Sequence, residues 1–261
     1  MSSKIKVDTI ENVAGSGNVS LGSGHNLVVP GDLTVDTSTL KIDSSNNRVV
    51  IGPTSRSDAL HVKGFTQIES TAGNAAYVRF NNTVNSGGKT WRAGAGVSSH
   101  GSFSIYNQTD NKFGVTVDSS GRVTKPNQPS FLAFGNNIGS ESTAGYIAYP
   151  NIDTNQGGHN IGSHYNTSTY KFTAPIAGKY LFGFSVYAHT TNALDIYGRY
   201  NDSVNVSGHQ VNAGSNDDNY PTLSGSVCIN MAANDTFGWR MISGTYHTNS
   251  TGSMFYGFLS H

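Results

Sequence analysis

The stretch Tyr165-Asn166-Thr167-Ser168-Thr169-Tyr170-Lys171-Phe172-Thr173-Ala174-Pro175-Ile176-Ala177-Gly178-Lys179-Tyr180-Leu181-Phe182 constrains the fold more than any other part of the chain. It reads as a polar turn, a short strand, a Pro-Ile-Ala-Gly corner and a second strand. On that second strand Tyr180, Phe182 and Phe184 fall at alternate positions. Residues i, i+2 and i+4 of a strand share one face, so the three aromatics form a single row. No helical apolar period persists beyond about two turns anywhere in the 261 residues. Gly is abundant, at 31 residues, and Asn, Ser and Thr fill the gaps between short apolar runs. The chain is therefore expected to be all-β and rich in turns.

Upstream, apolar residues recur in pairs one residue apart: Val19-x-Leu21, Leu27-x-Val29, Leu33-x-Val35, Leu40-x-Ile42, Val49-x-Ile51 and Leu60-x-Val62. Each pair offers a small apolar face, too little to be stable alone. Stacked units, or three chains wound together, bury such faces. The uneven spacing favours a fibrous shaft over a strict solenoid. From Arg56 to Lys125 longer strands are expected at Leu60–Val62, Thr66–Glu69, Tyr77–Phe80, Trp91–Ala95, Phe103–Tyr106, Val115–Asp118 and Arg122–Thr124. Pro126 and Pro129 mark a boundary, since neither donates to a ladder. The expected division is a shaft at 1–55, a small β-module at 56–125 and a head at 126–261.

Charge excludes some functions. Sixteen basic and sixteen acidic residues give zero formal net charge, with no basic block to neutralise a phosphate backbone, so nucleic acid is not an expected partner. The single cysteine, Cys228, leaves no intrachain disulfide. Its setting, Val227-Cys228-Ile229, predicts a buried, inert thiol. Met1 to Asp8 has no apolar signal-peptide core, and no apolar run reaches the ~20 residues that span a bilayer. The expectation is a protein that stays in the compartment where it is made, the cytoplasm, or leaves by cell lysis, and is not inserted in a membrane.

Catalytic motifs are missing, and no catalytic residue is assigned. Gly225-Ser226-Val227 lacks the second glycine of a nucleophile elbow and runs on into a strand. Ala93-Gly94-Ala95-Gly96-Val97 precedes no helix, as a dinucleotide loop must. The sparse carboxylates show no glycosidase pair. His159 and His164 have no close third ligand, and no His-x-His occurs. Asp217 and Asp218 are candidate calcium ligands on a polar loop, with Asn201-Asp202 a second such turn. No other cofactor is expected. Loops carry binding in a β-sandwich. Tyr197, Tyr200, Tyr220, Tyr246 and His247, set among small polar residues, are the expected receptor contacts, since tyrosine stacks on sugars and covers area at little entropic cost. Tyr180, Phe182, Phe184, Phe255, Tyr256 and Phe258 belong either to the core or to an interface between chains. Their alternation does not separate the two.

The 165–182 stretch resembles the signature of the complement C1q globular-head and tumour-necrosis-factor-like family. So do Phe131 and Phe134, Asn160-Ile161-Gly162, Leu223 to Met231 and the closing Phe255-Tyr256-Gly257-Phe258. The resemblance implies a jelly-roll sandwich that assembles as a homotrimer and often carries calcium. Two positions depart from the family pattern. Tyr170 stands where glycine is usual, and Ala233-Asn234-Asp235 where a Gly-Asp pair is common.

Lys4-Ile5-Lys6-Val7-Asp8-Thr9-Ile10 and the run from Gly31 to Gly52 resemble segments of tailed-bacteriophage fibre proteins. Trp91 to Val123 resembles a small β-module of such fibres. Together these resemblances imply a non-enzymatic, homotrimeric tail fibre of a virion. Its N-terminus would dock on tail or baseplate proteins, and its head would bind a host-surface glycan or protein. A head or neck fibre, a decoration protein and a non-viral C1q-domain lectin are the alternatives.

Overall fold

The structure, a computed structural model, describes residues 66–70, 75–82, 86–189, 194–213 and 221–260, and three strands upstream of them. The chain divides into two compact units, Met1–Gln67 and Ile68–His261. In the first, β1 (Leu33–Val35), β2 (Leu40–Asp43) and β3 (Arg48–Ile51) form an antiparallel meander. Its register sets Leu33 opposite Ile42, Val35 opposite Leu40, Leu40 opposite Ile51 and Ile42 opposite Val49. Three of the apolar pairs are thus aligned across one small sheet. The pairs at Val19, Leu27 and Leu60 lie outside the described residues.

The second unit opens with a five-stranded antiparallel sheet, in chain order. Its strands are β4 (Ala76–Asn81), β5 (Thr90–Ala95), β6 (Phe103–Asn107), β7 (Lys112–Val117) and β8 (Val123–Thr124). Residues 66–69, expected to form a strand, are not in one.

The remainder is a two-sheet sandwich, the jelly roll expected of an all-β head. Its strands are β9 (Ser130–Phe134), β10 (Ile138–Glu141), β11 (Gly145–Tyr146), β12 (His159–Ile161), β13 (Tyr165–Asn166), β14 (Lys171–Thr173) and β15 (Gly178–Ala188). They continue with β16 (Leu194–Tyr200), β17 (Val204–Ala213), β18 (Thr222–Met231), β19 (Thr236–Ser243), β20 (Tyr246–Thr248) and β21 (Met254–Leu259). One sheet runs β10-β20-β15-β21-β9-β12, with β18 on the other flank of β15. The second runs β13-β14-β19-β16-β17, with β11 also paired to β19.

The core lies between these sheets and is largely aromatic. Phe182 stacks on Phe237 at 4.4 Å between ring centroids, and Phe184 meets Trp239 at 4.3 Å, each pair linking the two sheets. Phe131 stacks on Tyr165 at 4.5 Å and meets Phe255 edge-on at 4.7 Å, geometries that suit the ring quadrupoles. Gly257 belongs to this packing, because a Cβ there would strike the rings of Phe182 and Phe131. Both departures from the family pattern fall where the backbone is left-handed: Tyr170 has φ 58° and Asn234 φ 72°. Glycine enters that region freely, whereas tyrosine is strained there.

Candidate functional site

The two outer faces of the sandwich differ in chemistry. On β15 the even positions are buried in the core, so Leu181, Gly183, Ser185 and Tyr187 face outward. The register with β21 sets Phe258 opposite Leu181, Tyr256 opposite Gly183 and Met254 opposite Ser185. Phe258 is 40% exposed and Met254 37%. A Cβ at Gly183 would collide with the Tyr256 ring, so the glycine lets that ring lie across the sheet. This register separates what alternation left open. Tyr180, Phe182, Phe184 and Phe255 belong to the core, whereas Tyr256 and Phe258 lie on the outer apolar face. Cys228 lies on the same face, opposite Leu181, and is exposed, contrary to the expected buried thiol. Val227 and Ile229 point toward the core, and the residue between them must point away.

The other outer face is polar. Tyr146 on β11 lies opposite Arg240, which in turn lies opposite Tyr197 on β16. The Tyr146 hydroxyl donates to Asp202 Oδ1 at 2.5 Å, and Lys171 Nζ donates to Asp202 Oδ2 at 2.9 Å. Lys171 Nζ also sits 5.4 Å from the centre of the Tyr146 ring. The Tyr146 hydrogen bond, then Lys171, holds the Asp202 carboxyl below the usual carboxylate range. Burial, then Asp202, pushes the Tyr146 phenol up. Tyr146 and Lys171 escaped the sequence reading because β11 and β14 join this face only through long-range pairing with β19.

Among the described residues the expected receptor contacts are not gathered on loops. Tyr197 and Tyr200 lie within β16. The Tyr200 hydroxyl donates to Asp235 Oδ2, and its ring borders a shallow hollow of about 400 Å³ with Val204, Asn205, Val206, Ile229 and Asn230. Tyr246 is a correction. It is 4% exposed, lies in β20 and joins the core, where its hydroxyl accepts the Ala148 N–H at 3.4 Å. Burial pushes its phenol up to about 12. It faces the core because the alternation of β20 buries Tyr246 and Thr248, leaving His247 half-buried outside, beside Tyr187. Tyr220, Asp217 and Asp218 lie outside the described residues.

The second calcium candidate serves the fold instead. Asn201 and Asp202 have φ 48° and 59° in the β16–β17 turn. Asn201 Nδ2 donates to Asp235 Oδ1 at 2.8 Å, and Asn201 Oδ1 accepts the Thr236 N–H at 2.7 Å. Among the described residues no three His, Cys, Asp or Glu side chains gather to hold a metal. His159 Nδ1 lies 3.1 Å from the Gly157 carbonyl, while His164 packs edge-on against Phe172, where burial lowers its basicity.

Residues 136–260 match the model of the C1q domain. Among solved structures the chain is similar to the globular domain of a zebrafish complement 1qA protein. That match has 14% identity and a TM-score of 0.41, and covers 51% of this chain and 98% of that one. It is similar also to an Eiger TNF from S. frugiperda, at 11% identity and TM-score 0.39, covering 51% and 93%. Murine APRIL matches at 8% identity and TM-score 0.37, covering 50% and 98%. No curated protein sequence matches the chain.

Proposed function

We propose that this chain, whose residues 136–260 form a C1q domain, is a homotrimeric tail-fibre protein of a tailed-bacteriophage virion that holds a host surface through its head. C1q and tumour-necrosis-factor-like domains are binding domains that often form trimers. The observation that carries the reading is the outer face built from Leu181, Met254, Tyr256 and Phe258. An apolar face on an otherwise polar sandwich marks a surface that another protein covers, and three identical chains around an axis cover it equally. The phage-like wording of the N-terminal segments supports the virion setting, with that end docked on tail or baseplate proteins after synthesis in the host cytoplasm.

The receptor-binding role falls on the polar face and its borders, at Tyr197 and Tyr200, with Tyr220 from the sequence; His247 stands beside Tyr187 at the margin of the opposite outer face. A host glycan or protein bound weakly at three linked sites gains avidity of ~10²–10⁴ where geometry allows. Light scattering of the full-length protein is expected to give three times the chain mass of 27.6 kDa. Phe258→Asp is expected to give folded single chains. Added purified trimer should block phage adsorption to the host. A wild-type monomer would sink the trimer, and adsorption unchanged by saturating trimer would sink the receptor role.

A further inference from the structure

The five-stranded sheet β4–β8 has one polar and one apolar face. On the polar side, Arg92 sits 4.6 Å from the centre of the Tyr77 ring and donates to Gln108 Oε1 at 2.8 Å. Tyr106 packs on Phe113 at 4.7 Å and donates to Asn111 at 2.7 Å. The opposite side carries Val78, Phe80, Trp91, Phe103, Ile105 and Val123, which are 36–61% exposed. Their register is continuous. Phe80 lies opposite Trp91, Val78 opposite Ala93, which lies opposite Ile105, and Phe103 opposite Val117, which lies opposite Val123. A sheet with one apolar face needs a second layer. Among the described residues none supplies it.

Two observations identify what covers this face. First, only residues 125–129 separate β8 from β9, a reach of less than about 20 Å. Asn127 Nδ2 donates to the Phe113 carbonyl at 2.8 Å, Gln128 Nε2 donates to the Leu259 carbonyl, and the Leu259 N–H donates to Pro129 O at 3.0 Å. The connector is thus tied to β7 on one side and to β21, the strand of Phe258, on the other. Three heads joined through their outer faces bring three modules within reach of one another. Second, the six side chains are uncharged, and polar groups enter this face at one end, where Trp91 lies opposite Asn107 and Asn107 opposite Lys112, so its apolar expanse matches a copy of itself. Two such sheets face to face would leave a third uncovered, whereas three close a triangle.

We propose that the apolar face of β4–β8 is the inner wall of a three-sided β-prism made with the same face of two further copies of this chain. The proposal rests on the trimeric reading of the head, and it makes the module a second contact that forms only once the heads have come together.

The chain has two tryptophans, Trp91 on this face and Trp239 buried in the head. Acrylamide quenching of the full-length protein, with Trp91→Phe as the subtractive control, isolates Trp91. In the prism, Trp91 is expected to be shielded as well as Trp239. A trimer with a freely quenched Trp91 overturns the prism and leaves the head contact standing. A monomer overturns both, and a shielded Trp91 in it identifies the chain's own N-terminal residues as the cover. Ile105→Cys, on the central strand β6 whose three copies converge on the prism axis, in a Cys228→Ser background then separates copies from self-cover within a trimer. Oxidation is expected to link chains on a denaturing gel. A band at single-chain mass only overturns the proposal.

Discussion

In the sandwich, Phe131, Phe172, Phe182, Phe237 and Phe255 are fully buried between two sheets, whereas in β4–β8 Phe80, Trp91 and Phe103 stand on the open side of one sheet. Both regions alternate apolar and polar residues with the same period of two. The difference is the number of layers. The head supplies its own second sheet, so its inner aromatics complete a core within one chain. Among the described residues the module has a single layer, so the same kind of alternation leaves an open apolar face. An aromatic row in a β-sequence therefore marks a buried face without saying which molecule buries it.

Removing equivalent side chains from the two regions tests this contrast with the largest effect. Phe182→Ala is expected to destabilise the head by about 3–5 kcal/mol, because its neighbours in a two-sided core cannot close the gap. Phe80→Ala is expected to cost about 1.5–3 kcal/mol in the trimer, the value of burying a phenylalanine. That loss should vanish when Phe258→Asp has separated the chains. Urea melts of the single and double variants check both, and an equal cost of Phe80→Ala in monomer and trimer would remove the module from the interface.

Gly257→Ala probes how tightly the head is closed. The added methyl meets Phe182 and Phe131, and an overpacked core should lose about 1–3 kcal/mol. Thermal unfolding reads this out, and a neutral result would mean that the aromatic core rearranges easily. Tyr170→Gly acts in the opposite direction. Relief of a left-handed tyrosine is expected to stabilise by about 1 kcal/mol, seen as a higher midpoint; a lower one would show that the Tyr170 side chain holds the turn.

The smallest effect concerns the polar face. The folded Asp202 carboxyl titrates below its unfolded value of about 3.9, with the Tyr146 hydrogen bond as the main cause. Its contribution is therefore complete above about pH 4 and fades as pH falls through the lower folded value. Asp202→Asn is expected to cost less than about 1 kcal/mol at neutral pH, as exposed pairs do, and to flatten the stability loss below pH 4. An unchanged acid limb would assign that loss to other carboxylates.

Much of the architecture was legible in the chain. The alternation in Tyr180, Phe182 and Phe184, the Pro-Gly corner before them and the paired apolar residues at Leu33, Leu40 and Val49 each announced a strand, because β-periodicity is local. Exposure was less legible. Cys228 reads as buried in its apolar run, yet strand parity turns it outward. Tyr246 reads as a loop tyrosine among polar neighbours, yet it closes the core through pairing of β20 with β15 and β10.

The sequence alone determined the all-β class, the strand punctuation and the shortage of catalytic motifs, since these follow from residue type and a two-residue period. Only tertiary structure assigned Phe255 to the core and Phe258 to the surface, and joined Tyr146, Lys171 and Asp202 across 56 positions of chain. The reason is physical: a strand has two faces that its own residues can label only relative to each other. Which face meets a second sheet depends on the register with distant strands.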